Sequence, residues 1–337
     1  MQDFVIQQAL KSFTPKRFFN VIKSVGSFAT SMLLKKPIVW GIPPVITVEP
    51  TNRCNLDCPL CVTGSGNMTR VAGRMELQTF QKLIDGIADT VWYVIFYHQG
   101  EPYLNNAFLP AVRYAKDRGL YTETSTNAHY LDEHNAIRTI GAGLDAMIVS
   151  VDGITQATYE KYRVKGDLQR VLNGIRTLVA AKKRLRSKTP YILLQFLVMR
   201  HNEHEIPEIK ALAKELGVDR LLLKNIQVET YEEALEWMPK SDHFQRYQIG
   251  DSDISVRGGK GVCPRPWLSS LVNWDGTVVP CCFDKNGHHT MGEINNGENF
   301  VQIWSKEQYR DFRDKMLNDR SAIDICKNCN QGFGVWV

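Results

Sequence analysis

Residues 49 to 61 read Glu-Pro-Thr-Asn-Arg-Cys-Asn-Leu-Asp-Cys-Pro-Leu-Cys and place Cys54, Cys58 and Cys61 in a C-x3-C-x2-C spacing. The stretch follows a short apolar run, residues 45–48, that reads as a buried strand. The cysteines therefore fall on a loop at the C-terminal end of a strand, where α/β proteins place their chemistry. Three thiolates this close can wrap one soft metal centre, but they leave a four-iron cubane one ligand short. The remaining iron is then open to a small molecule. A zinc knuckle or a disulfide pair are the bland alternatives. Zinc sites usually want four protein ligands and a second C-x2-C nearby, and none follows until Cys326 and Cys329.

Outward from this loop, short apolar runs alternate with helical patterns. The runs are 45–48, 93–97, 121–124, 146–151, 192–198 and 220–223; helical segments lie near 77–88, 107–118, 132–141, 156–162, 168–185 and 204–216. Six strand–helix repeats predict a parallel sheet with right-handed crossovers, and six units are too few for a closed eightfold barrel.

The spacing of Cys54, Cys58 and Cys61 resembles the signature of the radical S-adenosylmethionine (SAM) family. That resemblance implies a partial (β/α)6 TIM-like barrel, a 4Fe-4S cluster whose open iron binds SAM, and reductive cleavage of SAM to a 5′-deoxyadenosyl radical. The strand ends are similar to the family's cofactor elements. His98-Gln99-Gly100-Glu101-Pro102 resembles its Gly-Gly-Glu-Pro loop, with Gln99 in place of the first glycine, which gives Gly100 and Glu101 a role at the SAM amino group. Ser125-Thr126-Asn127 is similar to its Thr-Asn element. Ser150, Asp152, Arg163 and Asn173 resemble its fourth strand and following helix, where Ser150 and Arg163 would hold the ribose and carboxylate of SAM. An arginine fork suits a carboxylate; taken singly, Arg163 reads as a solvated helix residue and Gly-Glu-Pro as a plain turn. Residues 199–202 and 224–227 are the expected barrel positions for substrate contacts.

The last third changes character. Residues 226–262 are polar and acidic, ending in Gly258-Gly259, and read as a connector between a barrel of residues 41–225 and a cysteine-bearing module of residues 263–337. In that module two apolar runs, 268–274 and 277–280, flank Asp275-Gly276, a tight hairpin signal. Cys281 and Cys282 end the second run, a helical stretch spans 300–317, and Cys326-Lys327-Asn328-Cys329 closes the set. Cys263, one of the adjacent pair, Cys326 and Cys329 make a closed four-thiolate site for zinc or an iron–sulfur cluster. The arrangement looks like the shortened SPASM form called a twitch domain, which implies one auxiliary 4Fe-4S cluster with Cys281 as the strand-end ligand. Cys282 is then left over, either as a hydrogen-atom donor to a substrate radical or as a small buried residue.

Residues 1–40 stand apart, with Lys11, Lys16, Arg17, Lys23, Lys35 and Lys36 against the single acid Asp3. A basic amphipathic segment can lie on an anionic membrane face; the expectation taken is that it packs on the domain with its charges in water.

Composition bounds the rest. The chain has 337 residues, 43% of them hydrophobic, enough for a large domain and a smaller one. A formal charge of +5 gives no reason to expect nucleic acid. Eight cysteines without a secretory signal point to a reducing cytoplasm. No apolar run approaches the ~20 residues of a membrane span. The function these features imply is a radical SAM oxidoreductase. It would abstract hydrogen from a small, carbohydrate-like substrate, oxidise it through the auxiliary cluster and draw electrons from a flavodoxin or ferredoxin. A peptide-modifying or epimerising enzyme is the alternative. From a different class the chain could be an iron–sulfur carrier or a zinc-stabilised binding protein; a carrier would not need a six-unit barrel with polar residues at every strand end.

Overall fold

Apolar runs and amphipathic stretches alternate in space as they do in sequence. In the computed structural model, which describes residues 11–258 and 261–329, the strands are β1 (Val45–Val48), β2 (Tyr93–Ile95), β3 (Tyr121–Thr126), β4 (Ala146–Ser150), β5 (Tyr191–Val198), β6 (Arg220–Asn225), β7 (Tyr247–Ile249), β8 (Ile254–Val256), β9 (Ser269–Val272), β10 (Thr277–Val279) and β11 (Gly292–Glu293). The helices are α1 (Pro15–Leu34), α2 (Leu77–Ile87), α3 (Phe108–Asp117), α4 (Glu133–Ala142), α5 (Gln156–Tyr162), α6 (Leu168–Arg184), α7 (Ile206–Leu216), α8 (Tyr231–Trp237), α9 (Arg265–Leu268), α10 (Phe300–Trp304), α11 (Glu307–Asn318) and α12 (Asp324–Lys327). Asp3, Phe4, Val5 and Leu10 of the basic segment, Gly259, and the module's last residues from Asn330 on lie outside the described residues. The chain divides into two units, one of residues 1–53, 69–122 and 258–337 and the other of 54–68 and 123–257.

In the first unit β1 pairs in parallel with β2, Val45 opposite Tyr93, and on its other side with β9, Val45 opposite Ser269. The hairpin expected around Asp275-Gly276 forms, with β10 antiparallel to β9. Its turn is closed by Gly276 N donating to Asn273 O at 3.0 Å, with Gly276 at φ +90°. β11 then pairs antiparallel with β10. The cysteine-bearing region is thus laid against the first strand. Buried indoles tie it further, Trp267 Nε1 donating to Ile38 O and Trp304 Nε1 to Gly41 O, both at 3.0 Å. Arg70 adds a forked pair to Glu49, at 2.7 and 2.6 Å, while its Nε reaches Lys285 O.

In the second unit β3, β4, β5 and β6 run parallel, with Glu123 opposite Ala146, Ala146 opposite Tyr191 and Leu193 opposite Arg220. All five residues of β4 are buried, as a strand covered on both faces requires. The stretch expected to be a connector folds instead. Thr230 and Glu233 form a capping box that starts α8, and β7 and β8 make an antiparallel pair. Ile226, Val228, Trp237, Met238 and Tyr247 from this stretch pack with Leu56, Cys58 and Tyr162. Its polar composition reflects one exposed side; its few apolar residues supply the core.

α1 begins at Thr14, whose hydroxyl accepts from Arg17 N at 3.2 Å, and ends at Lys35 in the left-handed region, φ 53°. It packs as expected but with the reverse face. The buried residues are Arg17, Asn20, Ser24, Ser27 and Ser31, while Phe18, Phe19 and Ile22 are exposed. The cause is a row of main-chain partners on the inner side. Arg17 donates to Ala88, Gly119, Arg118 and Ser12 carbonyls, the first three at the C-terminal ends of α2 and α3, where helix dipoles favour a cation. Among the described residues no helix is long and apolar enough to cross a membrane.

Candidate active site

The loop after β1 is built to present sulfur. Cys61 N donates to Cys58 O at 3.1 Å and Ser65 N to Cys61 O at 2.8 Å, which curls the segment back on itself. A Cβ at Gly64 would stand 2.4 Å from Cys58 N and 2.7 Å from Cys58 O, so this close approach needs a glycine. Amide donors surround the thiols: Leu56 N lies 3.5 Å and Asn127 Nδ2 3.8 Å from Cys54 Sγ. Arg163 Nη1 lies 3.9 Å from Cys58 Sγ. Hydrogen bonds of this kind to sulfur tune iron–sulfur centres. Cys54, Cys58 and Cys61 are packed by Leu56, Tyr162, Met199, Ile226 and Trp237. Burial pushes the Cys58 thiol up, with Arg163 pulling the other way.

The cofactor-binding residues named from sequence fall in both units. Gly100 sits at φ +74°, and a Cβ there would meet Thr51 O at 2.4 Å and Arg53 O at 2.6 Å, so the glycine is required where the second strand's loop meets the segment after β1. Glu101 is buried; its N donates to Arg53 O at 2.8 Å and its carboxylate accepts from Tyr103 N at 3.2 Å, capping the turn Pro102–Leu104. In the other unit Ser125 lies half-buried in β3 and Asn127 directly after it. Asn127 Nδ2 donates to Asn55 Oδ1 at 2.8 Å, joining β3 to the cysteine loop. Ser150 is buried at the end of β4 opposite Gln195. Arg163 is not a solvated helix residue: its Nε donates to Asp152 at 2.6 Å, with Asp152 fully buried. Burial alone would lower Arg163, but Asp152 and the Cys58 thiolate hold it charged. Asn173 is exposed on α6 and accepts from Gln169, apart from this set. In the expected substrate stretch 199–202, Asn202 instead clips the backbone, accepting from Met199 N and donating to Asp152 and Leu197 carbonyls.

Three positioning groups escaped the sequence reading. Asp152 takes Leu197 N on its second oxygen at 2.7 Å and so fixes Arg163 from the neighbouring strand. His129 accepts from Asp167 N at 2.9 Å behind Asn127. Glu49 and Arg70 form their pair with Glu49 fully buried and Arg70 10% exposed. Asp152 and Glu49 both lie in stretches quoted from the sequence, but nothing there marked either as an arginine's partner.

The C-terminal thiols are drawn together from distant positions. Cys263 N donates to Met316 Sδ at 3.4 Å, which fixes it on α11. Arg265 Nη1 lies 3.5 Å from Cys282 Sγ. Burial lowers the Arg265 guanidinium, yet Cys282, Cys281, Cys263 and Cys329 together raise it well above its ordinary value. One arginine thus senses both halves of the set. Arg320 Nη2 donates to Cys329 O at 2.9 Å, and Cys329 N to Cys326 O at 3.3 Å. Burial pushes Cys326 up to about 12 and also raises Cys263. Between the adjacent pair, a hydrogen bond from Cys281, with Arg265 nearby, holds Cys282 below its ordinary value while Cys281 is raised.

None of the eight cysteines is in a disulfide. Among the described residues no three Cys, His, Asp or Glu side chains converge on a point that one ion could fill. The donors on both sets are thiols, the ligand chemistry that iron–sulfur clusters and structural zinc share. Buried thiols with raised pKa, each near an arginine or amide donor, are also what a cationic metal core would discharge.

The comparisons agree. A model of the Radical SAM superfamily matches residues 48–213, and one of an iron–sulfur cluster-binding domain, SPASM, matches residues 263–330. The AdoMet-dependent heme synthase of Methanosarcina barkeri (strain Fusaro / DSM 804) is 30% identical over 337 residues, 85% of this chain and 91% of that protein. The PqqA peptide cyclase of Gluconobacter oxydans (strain 621H) is 28% identical over 261 residues, 71% of this chain and 70% of that protein. The solved structure of Streptococcus suis SuiB bound to S-adenosylmethionine matches in fold, with a TM-score of 0.64 at 11% identity, over 91% of this chain and 76% of that one. Together the two domains imply SAM and two iron–sulfur clusters, one that binds SAM and one auxiliary. The chain belongs to the radical SAM superfamily and is an enzyme of that family carrying a SPASM iron–sulfur domain.

Proposed function

We propose that this enzyme removes a hydrogen atom from a small polar substrate and completes its oxidation with the auxiliary cluster. The observation that carries the reading is the joint presence of two thiol sets: Cys54, Cys58 and Cys61 on one loop, and in the C-terminal region Cys282 at 3.5 Å from Arg265, Cys263 held on α11 and Cys329 bonded back to Cys326. When bound, SAM and its cluster supply hydrogen-atom abstraction, and the auxiliary cluster supplies a one-electron acceptor. The chain's own residues position the rest. By the family resemblance Gly100 and Glu101 would hold the SAM amino group, and Ser125, Asn127, Ser150 and Arg163, the last fixed by Asp152, would hold its ribose and carboxylate. His98 and Asn273 support a small polar substrate. They follow β2 and β9, and His98 Nε2 and both amide atoms of Asn273 are buried without a hydrogen-bond partner. Burial, helped by Arg70 and Lys285, brings His98 down to about 3, so it meets a substrate as neutral imidazole. A buried polar atom left unpaired is costly, and a substrate hydroxyl or amine would satisfy it.

A second reading, modification of a peptide, is favoured by the PqqA peptide cyclase and the mycofactocin maturase among the relatives. One experiment separates them. Extract from cells grown in deuterated medium is split into small-molecule and peptide fractions and given to the reconstituted enzyme with SAM and dithionite. Deuterium entering deoxyadenosine from the small-molecule fraction, with a product lighter by two hydrogens, is the expected result. Transfer from the peptide fraction alone establishes the second reading, and transfer from neither rejects both. A product that has exchanged one deuterium for one solvent hydrogen, with no loss of a second, marks an epimerase.

A further inference from the structure

α1 is mounted with its polar side inward. Arg17, Asn20, Ser24, Ser27 and Ser31 recur at three- and four-residue spacing, and their inner partners lie at fixed main-chain positions. Asn20 Nδ2 donates to Ile42 and Thr90 carbonyls, Ser24 to Ile42 O, Ser27 accepts from Trp40 N, and Ser31 accepts from Ile38 N. Turning the helix to bury its other side would strip these groups of partners, so the orientation is locked. At 100° per residue the opposite stripe is Phe18, Ile22, Val25, Ala29 and Leu33. Phe18 is 44%, Ile22 51%, Val25 49% and Leu33 82% exposed. Of the fourteen large apolar side chains exposed among the described residues, eight lie between positions 13 and 40. Scattered exposure is ordinary; a contiguous stripe marks an interaction surface.

Charge identifies the occupant. Lys11, Lys23, Lys35 and Lys36 are exposed along the same segment, Lys16 being paired with Asp89 at 2.8 Å, and residues 11–40 contain no acid. Trp40, 57% exposed, sits at the end of the chain's return past the helix. A second copy apposed across a twofold axis would set this lysine row against itself. Apolar side chains between lysines, with an aromatic at the edge, match the boundary between acyl chains and anionic headgroups. We propose that α1 docks the enzyme on an anionic bilayer surface, Phe18, Phe19, Ile22, Val25 and Leu33 entering the headgroup boundary and the lysines meeting lipid phosphates.

The test is cosedimentation of the cluster-loaded full chain with vesicles of phosphatidylcholine containing phosphatidylglycerol, against phosphatidylcholine alone. Binding should require the anionic lipid and weaken with salt. A triple variant, Ile22→Ser, Val25→Ser and Leu33→Ser, should bind at least about tenfold more weakly. A double variant, Lys23→Glu and Lys36→Glu, should lose about tenfold. All five positions are exposed, so circular dichroism and cluster absorbance should stay at wild-type values. Failure to bind the anionic vesicles, or variants that bind like wild type, would overturn the proposal. So would sedimentation equilibrium showing a dimer that the triple variant dissociates, since a second copy would then cover the stripe.

Discussion

Two thiol sites in one chain are made in opposite ways. Cys54, Cys58 and Cys61 lie within one turn-rich loop whose hydrogen bonds run between neighbours, such as Cys61 N to Cys58 O. The C-terminal set is gathered from positions 263 to 329 and depends on α11, α12 and the β9–β10 hairpin. Each nevertheless receives a guanidinium aimed at a thiol, Arg163 at Cys58 and Arg265 at Cys282. A local site fails when its own loop, or a side chain packed directly on it, is changed. A distributed site fails when the frame that gathers it is disturbed, including by residues that touch no sulfur.

The largest expected contrast comes from cutting each set once. Cys58→Ala should remove about four of about eight irons per reconstituted chain and abolish deoxyadenosine formation. Cys329→Ala should also remove about four but leave deoxyadenosine forming at a wild-type rate while product falls below detection. Because β9 pairs with β1, the C-terminal region cannot be deleted as a detachable part, and circular dichroism must confirm the fold of the point variant. Wild-type turnover by folded Cys329→Ala would end the oxidative role of the second site.

Next come the buried ion pairs. Asp152→Asn and Glu49→Gln each leave an arginine without its fully buried carboxylate, which should cost about 3 kcal/mol in urea unfolding. The readouts should diverge. Asp152→Asn frees Arg163 beside Cys58, so SAM affinity should drop while auxiliary iron stays. Glu49→Gln loosens Arg70 from the strand that β9 joins and from Lys285, so auxiliary iron should drop while SAM affinity stays. Equal losses at both sites in either variant would break the distinction between local and distributed construction.

The smallest effect concerns the adjacent pair. If Cys281 is the ligand that follows the strand, Cys281→Ser should lose auxiliary iron and Cys282→Ser should keep it, shifting the cluster absorbance only slightly. The reverse pattern would assign the ligand to Cys282, the thiol that Arg265 already faces.

The alternation of strands and helices, the hairpin turn at Asp275-Gly276 and the first thiol site were legible because each is written in consecutive residues. Periodicity, a turn dipeptide and C-x3-C-x2-C spacing need no knowledge of distant neighbours. The C-terminal cysteines could be singled out in the sequence because thiols are few and their chemistry narrow. The sequence did not reveal that residues 226–262 pack beside Cys58, because a polar stretch hides a core that six of its apolar side chains help to build. Asp152 and Glu49 were invisible as partners because a carboxylate gains that role only when another strand or loop brings an arginine to it. The N-terminal helix draws the line most plainly. Its sequence determined that one face would be apolar and the other polar. Tertiary structure alone decided which would be buried, because the carbonyls of Ala88, Arg118, Gly119 and Ile42 were waiting on the inner side for Arg17, Asn20 and Ser24, and a buried polar face is stable only where every donor finds an acceptor.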